Sequence, residues 1–255
     1  MMTTEGYLKI IADNSTPKPS FHVIQTGNTS KLETNFVPPL NFNGDNCNYE
    51  IALISLETYY SFPNIDDENN RLRFSHDNGK TWKDITLHTG CYELKAINKT
   101  LESLIIEAGG HKGDLKVEAN KNTFQCIMTV AEMVQIDFTT KNSLRTVLGF
   151  EPKVFGAGLH TSTHTVNIMR VNSILVQCDV IGASYLNGTQ KPIIYSFFPD
   201  VGPGDKIVME PKTLIYLPLS LNIISRMSSW MTDQDNKLLD LREEEVTLKF
   251  HIRSC

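Results

Sequence analysis

Long apolar runs are missing from this sequence, and so is any dense block of basic residues. No stretch reaches the roughly 20 apolar residues of a membrane-spanning helix. Met1 to Ile10 lacks the charged-then-apolar order of a secretory signal, so neither a span nor export is expected. The 24 Lys+Arg are outnumbered by 29 Asp+Glu, giving a net charge of −5. Affinity for nucleic acid rests largely on neutralised phosphates, which leaves direct DNA or RNA binding without a source here. Five cysteines, Cys47, Cys91, Cys126, Cys178 and Cys255, are odd in number, widely spaced and without a Cys-x-x-Cys pair. Neither a disulfide framework nor a zinc knuckle follows, and reduced thiols inside a cell are expected. Gly-x-Ser-x-Gly, the Walker loop, His-Glu-x-x-His and Gly-x-Gly-x-x-Gly are also lacking. With no nucleophile, base and oxyanion site gathered in one pattern, no enzyme, cofactor or metal is expected.

What is present is strand after strand. With 40% hydrophobic and 21% charged residues the composition is that of an ordinary globular chain. Segments 21–25, 49–56, 124–130, 134–138, 165–171, 174–181, 193–198, 206–209, 213–219 and 246–252 are rich in β-branched and aromatic residues, with Gly, Pro, Asn or Asp between most of them. An all-β fold follows, a sandwich or barrel. Two helices interrupt it. In 94–109, Leu94, Ile97, Leu101, Leu104 and Ile105 fall three or four apart and Gly109 supplies the stop, so this stripe is expected to pack on the sandwich. The other, 142–148, is short and ends at Gly149. No repeat or linker divides the chain; 21–255 reads as a single domain, and 1–20 as an N-terminal arm because Pro17 and Pro19 discourage regular structure.

Ser75-His-Asp-Asn-Gly-Lys-Thr-Trp82 fits the Asp-box hairpin of sialidase propellers and other β proteins. Ser75, Asp77, Gly79, Thr81 and Trp82 have structural roles in it: Asp77 accepts backbone amides, Gly79 takes positive φ and Trp82 folds back as a buried plug. His160 and His164 stand four apart, but in strand-favouring sequence that is roughly 13 Å, too far to share an ion. Phe155-Gly-Ala-Gly158 reads as a loop bend, since it follows a helix where a phosphate cradle precedes one. The acidic runs 66–68 and 243–245 read as solvated edges. Leu214 to Leu221 is nearly all apolar around Pro218, suiting a strand at a sheet edge or against a neighbouring subunit.

Several segments, taken in order, resemble one family. Asn35-Phe-Val-Pro-Pro-Leu40, Asn43-Gly44 and Tyr49-Glu-Ile-Ala-Leu53 with Leu56 are similar to the opening of single-jelly-roll minor capsid (penton) proteins of the Polinton/Maverick, adintovirus and virophage type. Leu144 to Phe150 is similar to that family's short helix before Leu-Gly-Phe. Val171 to Ile181, Leu217-Pro-Leu219 and Val246 to Arg253 are similar to its later strands. The resemblance implies a single jelly-roll β-sandwich with one or two short helical excursions and no enzymatic activity. It further implies self-assembly into homopentamers at the icosahedral vertices of a virion made inside the host cell, beside a major capsid protein of the double-jelly-roll type. Ring closure needs two unlike faces on each subunit. Phe197, Phe198, Leu217 and Leu219 are the expected interface residues. The competing expectation is a carbohydrate- or receptor-binding β-sandwich module, lectin-like or sialidase-associated, to which the Asp-box and the aromatics Tyr59, Tyr60 and Phe62 would contribute.

Overall fold

A computed structural model describes residues 20–43, 48–182 and 184–255. The expected arm therefore lies outside the described residues except for Ser20, which opens the first strand, and Cys47 lies outside them too. In chain order the first strands are β1 (Ser20–Gly27), β2 (Lys31–Asn41) and β3 (Tyr49–Tyr59). There follow β4 (Arg71–Ser75), β5 (Lys83–Thr86), α1 (Leu94–Glu107), β6 (Leu115–Ala119), β7 (Gln125–Val130), β8 (Gln135–Asp137), α2 (Arg145–Leu148), β9 (Val154–Phe155) and β10 (Gly158–Thr165). The last group is β11 (Ile174–Cys178), β12 (Ser184–Leu186), β13 (Thr189–Lys191), β14 (Ile193–Phe197), β15 (Lys206–Met209), β16 (Leu217–Pro218), β17 (Ile223–Thr232) and β18 (Val246–Ser254).

Alternation explains the body. Val246, Leu248, Phe250 and Ile252 of β18 are buried while Thr247, Lys249, His251 and Arg253 face outward, so β18 can sit centrally with one apolar face. It pairs antiparallel with β1 and β3. One sheet runs β1-β18-β3-β15, with β16 also on β3, and the second runs β14-β11-β17-β2. Numbered in chain order, the eight long-range strands are interleaved 1-8-3-6 and 2-7-4-5, which is the jelly roll. The fold is thus an all-β sandwich, and its core includes Ile51, Leu56, Ile174, Val176, Met227, Leu248 and Phe250.

Between β3 and β11 the chain leaves this body and builds a second apolar cluster. Two antiparallel sheets, β10-β7-β6 and β5-β4-β8-β9, enclose Phe74, Leu72, Met128, Ile136, Phe138 and Leu148. Helix α1 buries Leu94, Ile97, Leu101 and Ile105 in this cluster and not on the sandwich, which corrects the expectation for its stripe. A hydrophobic stripe states that a face is buried; it does not state against what. The expected strand 165–171 also fails beyond Thr165, where the chain is assigned to no strand.

The lobe joins the body through a narrow neck. Asn64 Nδ2 donates to the carbonyls of Tyr92 (2.7 Å) and Ile168 (2.8 Å), and its Oδ1 accepts the Tyr92 amide (2.8 Å), so the outgoing and returning segments are clasped by one side chain. Beside it Arg170 bonds Asp66 and, at 2.7 Å, Glu68, which also takes Lys237 of the β17–β18 loop at 3.0 Å. The acidic run 66–68, expected to be merely solvated, therefore ties lobe to body.

Candidate functional site

The Asp-box segment closes the β4–β5 hairpin, in which Phe74 pairs with Lys83. Ser75 is fully buried; its hydroxyl donates to Asp77 Oδ1 (2.7 Å) and accepts the Gly79 amide (2.9 Å). Asp77 Oδ1 accepts the amides of Lys80 and Thr81, and Oδ2 accepts the Thr81 hydroxyl at 2.6 Å. The Thr81 hydroxyl and amide, with Ser75 behind them, hold the Asp77 carboxyl well below the usual carboxylate range. Gly79 has φ +83°, where a Cβ would also meet Gln135 Oε1 at 2.7 Å.

Trp82 departs from expectation. It is half-buried with the Arg73 guanidinium 5.7 Å from its ring, because strand parity puts it on the outward face with Asp84 while Phe74 and Ile85 fill the interior. Ser75→Ala is expected to cost about 1–3 kcal/mol through stranded turn amides. Trp82→Ala should cost well under the about 3–5 kcal/mol of a core aromatic. Urea midpoints measure both, and an unchanged midpoint for Ser75→Ala would contradict the bracing role.

The histidine pair does not converge. His160 Nε2 contacts the Gly156 carbonyl (2.8 Å) and His164 Nε2 meets Glu151 (3.1 Å), both on or beside β10. Among the described residues no group of three or more His, Cys, Asp or Glu could hold a metal. Cys91, Cys126 and Cys178 form no disulfide, and burial pushes the Cys126 and Cys178 thiols up to about 12, away from reactivity. Tyr60 and Phe62 lie in the body core with ring centroids 5.2 Å apart; Tyr59 alone of those aromatics is exposed.

The sides of the sandwich carry the remaining candidates. β1 and β2 are in contact at one side, so the sheet orders place β14 and β15 at the other. On β3, β15 pairs with residues 56–59 and β16 with Glu50 and Ile51, leaving 210–216 looped along the same edge. The expected interface residues separate here. Phe197, Leu217 and Leu219 are half-buried and pack on the body core, Leu219 bridging to Ile181, whereas Phe198 is 75% exposed. The run 213–219 is strand only at Leu217–Pro218, so two apolar faces of one long strand do not arise. Its outward residues are Leu214 and Ile215, the latter 55% exposed, with Val208 exposed on β15. The other side differs in kind: β2 presents Val37, 95% exposed, next to Pro38 and Pro39, which block pairing of a further strand.

Sequence reasoning missed a cluster on the outer face of the first sheet. His22 and His251 are cross-strand partners with ring centroids 5.2 Å apart. Tyr216, at the end of the edge loop, brings its hydroxyl 2.7 Å from His251 Nδ1 and its ring under the Arg253 guanidinium, which binds Glu50. Burial, then His22 and Arg253, lower the His251 pKa below the ordinary histidine value. The unfolded chain then binds the extra proton more readily, so this contribution to stability is complete above the ordinary histidine pKa and is lost as pH falls below it. Thermal midpoints should drop between pH 7.5 and 5.5 less steeply in His251→Gln than in the parent; parallel curves would show that His251 is not responsible.

No family model matches the chain, and no curated protein matches it. Among solved structures, the crystal structure of SeMet-labeled mavirus penton protein is similar over 93% of this chain and 100% of that chain, with 12% identity and a TM-score of 0.48.

Proposed function

We propose that the chain is a capsid penton subunit, a non-enzymatic block that closes head to tail with further copies of itself into a homopentamer. The observation that carries this reading is a jelly roll with unlike sides, one presenting Phe198, Val208, Leu214 and Ile215 and the other Val37 beside two prolines. A heterologous contact that repeats until it closes requires that asymmetry. The ordered motifs from Asn35 to Arg253 supply the viral assignment and its Polinton/Maverick or virophage type. In this reading 21–255 works as one domain carrying its lobe, 1–20 is an arm, and the ring sits at a virion vertex beside a double-jelly-roll major capsid protein. A carbohydrate-binding role draws less support, because Tyr60 and Phe62 are buried. Sedimentation of the purified chain should give about five times 28.7 kDa. A concentration-independent monomer, or another subunit number, would overturn the proposal.

A further inference from the structure

The lobe has an opening that its own packing leaves unfilled. A cavity of about 480 Å³ is lined by Leu94, Phe124, Val166, Ile168 and Met169 together with Lys121. A second cleft of about 300 Å³ adjoins it through Leu94, Ala119 and Lys121, and adds Lys95, Lys116 and Glu118. Their combined size is that of ordinary ligand sites. Phe124 is 69% exposed and Met169 57%, so two large apolar side chains face this space and water. Phe124 also has φ +58°, a left-handed conformation that a bulky residue adopts only at a cost. Its ring is nonetheless presented outward.

Two further features say what would fit. The wall at 166–170 is main chain outside any sheet, and among the described residues the amides of Ile168 and Met169 meet no backbone acceptor. Amides left without a partner donate to the carbonyls of a bound peptide's main chain. The charged side chains lining the two clefts are Lys95, Lys116, Lys121 and Glu118, and Lys116 is paired to Glu118 at 2.8 Å. Lys95 and Lys121 thus leave a local positive rim on a chain whose net charge is −5.

We propose that this groove binds an extended peptide segment of a partner, with aliphatic side chains at alternate positions entering the Phe124–Met169 cavity and carboxylates meeting Lys95 and Lys121. The site is separate from the ring faces proposed above, since its lining residues lie between Leu94 and Asn172 and none is on β2, β14 or β15.

A library of random dodecapeptides displayed on phage, selected on the full-length chain and counter-selected on Met169→Asp, tests this directly. The expected result is enrichment of sequences with aliphatic residues at i and i+2 flanked by Asp or Glu. A synthetic copy of one should bind at least tenfold more weakly to Lys121→Glu, more weakly in high salt, and not detectably to Met169→Asp. Replacing its alternate amides by alkene isosteres, which lack the carbonyl acceptor, should also abolish binding. Both altered residues are exposed, and unchanged thermal midpoints would show the variants folded. No enrichment over Met169→Asp, enrichment without the acidic–aliphatic pattern, or indifference to loss of those carbonyls would overturn the proposal. So would loss of concentration-dependent self-association in Met169→Asp, which would make a second copy the occupant.

Discussion

Replacing Phe198 and Ile215 together by aspartate is expected to turn an assembly of about five times 28.7 kDa into folded monomers. Both side chains are exposed on the subunit, so the substitution leaves the body core untouched. In the ring they would be covered, and a carboxylate trapped there without a partner costs several kcal/mol. Central apolar contacts alone are typically worth about 2 kcal/mol or more each when truncated. Two losses of that size lower affinity by about 700-fold or more, since each 1.4 kcal/mol is tenfold. Raising salt should leave the parental ring intact or tighten it, because subunits of net charge −5 repel weakly and apolar contact must hold them. Val37→Asp, on the opposite side, should break the ring as well. Mixing the two variants gives the sharper readout: each keeps one good face, so they should pair into heterodimers that cannot grow. Two variants that stay monomeric when mixed would show that these two sides are not the complementary faces.

Gly149→Ala is expected to unfold the lobe. Gly149 caps α2 with φ +78°, and its amide donates to the Arg145 carbonyl at 2.8 Å. A Cβ there would stand 2.3 Å from the His164 carbonyl oxygen and 2.9 Å from that of Thr165, both backbone atoms of β10 that cannot swing aside. The left-handed conformation costs an alanine about 1–2 kcal/mol, and the overlap adds about 1–3 kcal/mol. That sum, about 2–5 kcal/mol, is a large share of the about 5–15 kcal/mol that holds a domain folded. Gly188→Ala is the control: its φ is +80°, but its Cβ would meet nothing within 4 Å. The parent, control and variant should show high, slightly reduced and severely reduced midpoints in thermal denaturation. Equal losses for the two substitutions would place the cost in φ alone and remove the contact with β10 from the account.

The sandwich was legible where burial is one-sided. Alternation along β18 announces its two faces, and the turn residues around 43–46 bracket β3 before any pairing is known. Gly149 was readable as a helix stop for the same local reason. What could not be read is which core an apolar residue joins. Leu94, Ile97 and Leu101 carry the stripe of any buried helix, so their departure to a second cluster left no mark in the sequence. Phe197 and Phe198 are neighbours of identical chemistry, and only the direction of β14 decides that the first packs inward. Leu217 and Leu219, expected at an interface for their hydrophobicity, also pack half-buried on the body core. His22 and His251 meet only because opposite ends of the chain pair as β1 and β18.

The neck clasped by Asn64 makes the lobe a cassette. Its two connecting segments touch where they cross, while the ends of β1 and β18 that pair Ser20 with Arg253 belong to the far end of the sandwich. Sequence can therefore diverge, lengthen or be exchanged between the neck segments without redrawing the sides on which neighbours would meet. Selection on the lobe and selection on the sides of the sandwich would fall on separate stretches of one gene. The same separation invites grafting: a foreign fold whose ends lie as close as Asn64 and Ile168 could be carried in the lobe's place.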